Sequence, residues 1–471
     1  MEPFDAWHIP LSGLPAELST IPAALPPFDD ATTTGPELRV ARLSPGDLRR
    51  VSGALQEAGE TLRGRPIDQV IAAIDAVARR FLDRDDALRA QALAWLPRTT
   101  GLSPAMAELV LDRTASDWLA PLLRALIQAE LRDPRVLERF VRHRPGQYVR
   151  AFGPRLAFHV LAGNVPGVGV TSLVRSLLVR APALCKTARE EPVMPVLFAR
   201  ALHTADPELG SALAVTWWPG GDLDLEDAAL ANADLVVHYG GREAVTSLAA
   251  RIPRHVRLVE HGPRISFGIV AREKVGDPRL PAQIARATAT FDQQGCVSPH
   301  LVYVEHPSHD VVRDFARRIA EALAQIGSEL SRGRLSFEEA SLIRAVRAAA
   351  EFRQIGGAET ALFGDPSLAY TVIYDARPDF VASCLNRTLW CRPISSIHDV
   401  ADLVRPFAPL LQSVAVAASR ANTKRLAEAL GQAGASRVTC FESLPWPAPT
   451  WHHDGRGPLR ELLRWVDLER S

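Results

Sequence analysis

The chain has 471 residues, 47% of them hydrophobic and 23% charged, with Lys plus Arg and Asp plus Glu both totalling 54. Such a composition suits a folded protein of two or three domains and excludes disordered and fibrous classes. The even charge leaves no net field to favour nucleic acid, an acidic partner or a membrane surface.

The first residues, MEPFDAWHIP, lack the basic and apolar regions of a leader, and no run of ~20 apolar residues exists to cross a bilayer, so a cytoplasmic protein is expected. The five cysteines, Cys185, Cys296, Cys384, Cys391 and Cys440, are scattered without a C-x-x-C pair. Neither a disulfide framework nor a metal site is expected from them.

Residues 47–144 read as mainly helical, since VIAAIDAVARRFL and SDWLAPLLRALIQAEL repeat apolar residues at three- and four-residue spacing. After Pro154 the texture changes to short apolar runs alternating with amphipathic helices, from RLAFHVLAG through PALCKTA and ALAVTWWPGG to DLVVHYGG. That rhythm predicts a mainly parallel sheet covered by helices. It returns after Cys296 in HLVYVE, TLWCRP and SVAVAA, which predicts a second α/β domain and a cleft between the two. The charged helical stretch 327–357 is expected at the periphery.

Five segments along this path carry candidate chemistry. AGNVPGVGVTS, residues 162–172, follows a predicted strand and opens a helix, but Ser172 stands at the third glycine position of G-x-G-x-x-G and no Gly-Lys-Ser/Thr follows. Its Asn164 amide could donate to a developing oxyanion or simply cap a turn. In LCKTARE, Lys186 ends a predicted strand and would meet a ribose or phosphate, or else solvent. In VVHYGGREAV, Gly240 and Gly241 precede a helix whose first amides could approach a pyrophosphate. In RLVEHGPRISFGIV, Glu260 and His261 end an apolar run; a carboxylate there could take a proton from a thiol, and a surface ion pair is the blander fate. Finally, ATFDQQGCVSPHLVYV sets Cys296 at a polar turn before an alternating strand. A thiol kept for packing would more often lie inside an apolar run, whereas a turn displays a reactive group.

In order and approximate spacing these segments resemble the aldehyde dehydrogenase superfamily and, within it, the bacterial acyl-CoA reductase branch, the LuxC-type fatty-acid reductases. AGNVP resembles the superfamily's strand-end asparagine motif, CKTARE its cofactor lysine segment, WWPGGD and HYGGRE its glycine turns, and VEHGPRIS its glutamate segment. FDQQGCVSPH and the tail WHHDGRGPLRELLRWVDLE are similar to the branch itself. The likeness covers roughly residues 150–471. It implies an α/β, aldehyde dehydrogenase-like fold: a helical N-terminal region (1–150) packing on a Rossmann-type NAD(P)-binding domain (151–265), then a second α/β catalytic domain with the cysteine (266–440) and a C-terminal segment (441–471).

The same likeness implies Cys296 as nucleophile, Asn164 as oxyanion donor and Glu260 as acid or base. Lys186, Thr187, Arg189, Pro166, Gly221, Gly240 and Gly241 become cofactor contacts. Arg189 stands where NAD-preferring dehydrogenases often carry an acidic residue, so NADPH is the expected cofactor. Ala244 and Val245 depart from the fuller glycine motif. The implied activity is reduction of an acyl thioester, on coenzyme A or a carrier protein, to an aldehyde through an acyl-cysteine. The alternatives are aldehyde oxidation with Glu260 as base, or a silent nucleotide-binding partner in a biosynthetic complex. Trp217, Trp218 and the segment 116–131 are candidates to line an acyl channel, and a homo-oligomer beside an acyl-activating enzyme is expected.

Overall fold

Short apolar runs separated by amphipathic crossovers pair in parallel, because each crossover brings the chain back to the same end of the sheet. In the computed structural model, which describes residues 2–10, 17–22 and 37–469, two such sheets form. The first holds β1 Ala157–Val160, β2 Ala183–Lys186, β3 Leu213–Thr216, β4 Leu235–Tyr239 and β5 Arg257–His261. Their order is β5-β4-β1-β2-β3, every pair parallel. The chain therefore leaves β1 toward one edge and returns through β4 toward the other, so the loops after β1 and β4 diverge and open a crevice at the strand ends.

The second sheet holds β6 Ile265–Val270, β7 Pro299–Glu305, β8 Thr360–Gly364, β9 Thr371–Asp375, β10 Thr388–Ile394, β11 Leu411–Ala417 and β12 Arg437–Thr439. They run in the order β8-β9-β10-β7-β6-β11-β12, parallel except for β8 against β9. Only the short stretch 262–264 separates β5 from β6, so the two sheets adjoin at the Gly-Pro turn.

The N-terminal helices pack on the first sheet, where Ile74, Phe81 and Trp118 share a core with Leu173, Leu177 and Phe198. The segment expected as one helix over 116–131 is broken: α1 Pro104–Ser116 ends, and α2 Ala120–Leu131 begins with Pro121 in its first turn. Proline lacks an amide donor and is tolerated only there. The helix α3 Val168–Leu178 follows the Asn164 loop, and α4 Val193–Ala205 follows the Lys186 segment. A three-stranded sheet joins the chain end to the N-terminal region, with strand Arg464–Glu469 antiparallel to Gln147–Phe152, which also pairs Val141–Arg144. Among the described residues no helix is long and apolar enough to cross a membrane.

Candidate active site

Cys296 sits between a short 3-10 turn and β7. The residues that looked like a displayed polar turn are largely buried. Phe291, Asp292 and Gln293 have φ of 57°, 49° and 66°, three successive non-glycine residues in the left-handed region. Such a run costs about 1 kcal/mol or more per residue and persists only where its surroundings over-determine it. Gln293 donates to the Pro299 and Thr388 carbonyls at 2.7 and 2.9 Å and accepts from the Thr388 amide at 2.8 Å. Asp292 accepts from Arg387 at 2.7 Å and from the Gly333 amide at 2.9 Å, and the Phe291 ring meets Trp446 edge-on at 4.9 Å. The facing residues Leu385, Asn386 and Arg387 are left-handed too, with φ of 63°, 55° and 60°. Gly295 fits because a Cβ there would stand 2.9 Å from the Phe291 ring.

Helix α5 Phe337–Ile355, expected at the periphery, contributes to this clamp through Glu339, which accepts from Gln294 and from Asn386 at 3.3 Å. Strained backbone held on every side fixes where the thiol points.

Asn164 reaches the same turn, its amide donating to the Gln294 carbonyl at 2.7 Å. An asparagine amide has two N–H donors, so one remains for an oxygen beside the sulfur. On the other flank stands a His–Asp pair. His261, at the end of β5, donates through Nδ1 to Asp454 at 2.7 Å. Asp454 also ion-pairs with Arg264 at 2.7 Å and accepts from Gln412 at 3.0 Å. The rings of Tyr239, His261, His453 and Trp451 stack in series, with centroids 4.5, 4.3 and 4.8 Å apart. His261, His453 and Asp454 each bring a possible metal ligand within 4.8 Å of the others, but the Asp454 oxygens are already engaged by His261, Arg264 and Gln412.

Charges in this corner follow from burial. Burial pushes the Cys296 thiol up to about 12; the Asp454 charge adds to this and a hydrogen bond from Gln412 opposes it. Burial also works to raise the Asp454 carboxyl, but His261, His453 and Arg264 hold it well below the usual carboxylate range. His261 lies below its ordinary value because burial outweighs the support of Asp454. Burial thus favours the neutral imidazole of His261, which lines the same cavity as a thiol that does not ionise unaided.

Cys296, Asn164, His261, Arg264 and His453 all line one cavity of about 560 Å³. Its other walls are Trp118, Leu123 and Leu126 from the N-terminal helices, Val168 and Val174 of α3, and the proline-rich stretch 445–449.

Beside this cavity, the carboxyl ends of the first sheet present the residues expected at the cofactor. Lys186, Thr216 and His238 lie level across β2, β3 and β4, with the Lys186 ammonium 5.6 Å from the Trp218 ring. Burial lowers Lys186, and it lowers His238 to about 4 with the Lys186 charge adding to the effect. Thr216 Oγ1, Trp218 Nε1 and His238 Nδ1 are buried without hydrogen-bond partners. Orphaned polar atoms grouped at the switch point of a parallel sheet fit a polar ligand laid across the strand ends, and they fit a nicotinamide dinucleotide. Gly241 caps the helix Arg242–Ala249, Gly221 turns in the left-handed region at φ 82°, and Thr187 is buried beside Lys186. Pro166 lies buried in the loop after Asn164, and Arg189 is half-buried and engaged with neighbouring groups.

The sequence profile of acyl-CoA reductase (LuxC) matches residues 62–465. The chain belongs to the LuxC acyl-CoA reductase family. A long-chain acyl-protein thioester reductase of Vibrio harveyi is 24% identical over 415 residues, covering 86% of this chain and 83% of the relative. One of Aliivibrio fischeri is 25% identical over 414 residues, covering 86% and 82%. Among solved structures, aldehyde dehydrogenase 21 of Physcomitrella patens in complex with succinate superposes with a TM-score of 0.78 at 12% identity, covering 100% of this chain and 98% of that one. The NADP-dependent glyceraldehyde-3-phosphate dehydrogenase of Bacillus halodurans superposes with a TM-score of 0.72 at 13% identity, covering 97% and 96%. The fold is that of the aldehyde dehydrogenases.

In this LuxC-family chain, two expected placements need correction. Glu260 is exposed and does not line the cavity; its neighbour His261 does. Successive strand residues point to opposite faces, so only one of the pair can enter. Trp217 and Trp218 do not line the cavity either: Trp218 is buried and stacks on Phe158 at 6.0 Å within the first sheet's core, whereas Trp118 lines the cavity. The sequence reading missed His261, Gln412 and Asp454. The alternation in RLVEH, with Val259 inward, would have turned His261 inward as well; Asp454 had only its place in HHDG to mark it.

Proposed function

We propose that this protein reduces an acyl thioester to an aldehyde through an acyl-Cys296 intermediate, using NADPH. The observation that carries the reading is the convergence of Cys296, the Asn164 amide and the His261–Asp454 pair on one largely apolar cavity next to the nucleotide edge. A thiol pushed up to about 12 needs a base. His261 Nε2 takes the Cys296 proton, with Asp454 holding the ring through Nδ1, and the sulfur attacks the thioester carbonyl. The departing thiolate then takes that proton back from His261. When bound, the reduced nicotinamide supplies a hydride to the acyl carbonyl. The spare Asn164 N–H and the Cys296 amide hold the oxygen while charge develops on it, and His261, having taken up a proton from solvent, gives it to the sulfur as the aldehyde leaves.

Lys186, Thr187, Arg189, Pro166, Gly221, Gly240 and Gly241 would hold the dinucleotide, and the cations Lys186 and Arg189 favour the 2′-phosphate of NADPH. The names of the Vibrio and Aliivibrio relatives support an acyl-protein donor beside coenzyme A. The exposure of Glu260 weighs against aldehyde oxidation with Glu260 as the base. Incubation with an acyl-CoA in the absence of NADPH should add one acyl group to the intact mass, and Cys296→Ala should prevent it. A wild type that takes no acyl group would overturn the mechanism.

A further inference from the structure

The cavity-facing side of α3 carries Val168, Thr171, Val174 and Arg175, a helical spacing that is apolar or neutral until its last member. Arg175 is 9% exposed, its Nε is buried without a partner, and among the described residues its guanidinium makes no hydrogen bond and no ion pair within 4.0 Å. An unpartnered buried cation is among the costliest groups a fold can keep, so a bound anion is the natural reason for keeping it.

The surrounding carboxyls do not serve. Asp454 pairs with Arg264 at 2.7 Å and Glu461 with Arg456 at 3.7 Å, while Asp117 feels Arg113 more strongly than Arg175. Burial pushes Asp117 up to about 6 and raises Glu461, whereas a carboxylate closely paired with Arg175 would be held down. Asp454 and Glu461 have their own arginines and Asp117 makes no ion pair within 4.0 Å, so among the described residues no carboxylate is paired with Arg175.

We infer that Arg175 is an anion-binding subsite in the wall of the Cys296 cavity, and that the acyl group received there ends in a carboxylate. The inference rests on the thioester reading above. Arg175 and Cys296 line the same cavity. Trp118, Leu123, Leu126 and Val174 are apolar walls suited to the methylenes between. A guanidinium grips a carboxylate through two parallel hydrogen bonds, which an alkyl end cannot accept. A phosphate of coenzyme A offers the same chemistry, and the test separates the two.

The probes are N-acetylcysteamine thioesters of octanoate and of 7-carboxyheptanoate, which contain no phosphate, together with octanoyl-CoA. Acylation of Cys296 is followed by intact mass without NADPH, and aldehyde formation with it. The carboxylated thioester should show a kcat/KM roughly tenfold to a hundredfold above octanoyl in wild type, the usual worth of one charged hydrogen-bond pair. Arg175→Gln should abolish that preference while leaving the octanoyl thioester within about twofold. Free suberate should slow iodoacetamide labelling of wild-type Cys296 more than octanoate does, a readout that needs no variant to fold. A wild type indifferent to the carboxylate overturns the subsite alone. A loss in Arg175→Gln confined to octanoyl-CoA reassigns the cation to the donor phosphate and overturns the acyl assignment. Failure of every thioester to acylate Cys296 overturns the parent reading and this one with it.

Discussion

Replacing Asp454 with Asn should move two properties of Cys296 in opposite directions. With the thiol pushed up to about 12, roughly one molecule in 10⁴ carries a thiolate at pH 8. Burial is the main cause and the Asp454 charge the next, so removing that charge lowers the thiol by a fraction of the whole displacement. One pKa unit is tenfold in thiolate, and iodoacetamide labelling of Asp454→Asn should therefore accelerate by about threefold to tenfold. Turnover should fall all the same. His261 loses the acceptor that fixes its Nδ1 proton and the charge that opposes burial, and losses of about 10²- to 10⁴-fold attend such changes in other His–Asp pairs. The sign of the pH effect follows from the same two terms. In the proposed mechanism neutral His261 is the active base; burial already lowers it, and without Asp454 it is lowered further, so the acidic limb of kcat/KM should shift to lower pH. Labelling followed by mass spectrometry, and NADPH oxidation followed by absorbance, give the two rates. If both slow together, Asp454 supports the thiolate and the assigned roles are wrong.

Asn164→Ala should lower turnover by about 10²- to 10³-fold with little change in KM, as for the loss of one oxyanion donor; a loss seen only in KM would place the amide in substrate binding. Arg387→Met leaves Asp292 charged and buried beneath the cysteine turn, so urea denaturation should show a loss of about 3–5 kcal/mol, and a change below about 1 kcal/mol would mean that the pair does not hold the turn. Arg189→Glu should shift the ratio of kcat/KM for NADPH over NADH toward NADH by about tenfold or more, and an unchanged ratio would remove Arg189 from the nucleotide site.

Much of the candidate site was legible because it is local. Asn164 and Cys296 each stand at the junction of a strand with a glycine-containing turn, and a few consecutive residues suffice to show that. The first parallel sheet was legible for the same reason: its strands are four- and five-residue apolar runs between amphipathic helices. What stayed hidden depends on parity or on distance. Glu260 and His261 end the same run, and one residue of register decides which faces the cavity. Asp292 and Gln293 look like surface polar residues until Arg387 and Thr388, 95 positions away, are brought against them. Arg175 hides inside TSLVRSLL, where only the helical spacing from Val168 shows that its charge falls on the cavity side.

The C-terminal strand that closes onto Gln147–Phe152 also sets an order of assembly. His261 and Asp454 are 193 positions apart, and the stretch that brings in Asp454 lies just ahead of that last strand. Contacts between distant parts of a chain form late, after the entropy of closing the loop has been met. A chain cut ahead of residue 454 lacks the carboxylate that meets His261, and it also lacks the carbonyls of residues 461–463 that Arg257 holds at the edge of the first sheet. In the proposed mechanism the C-terminal segment thus serves the base and not the thiol, whose ionisation the Asp454 charge opposes.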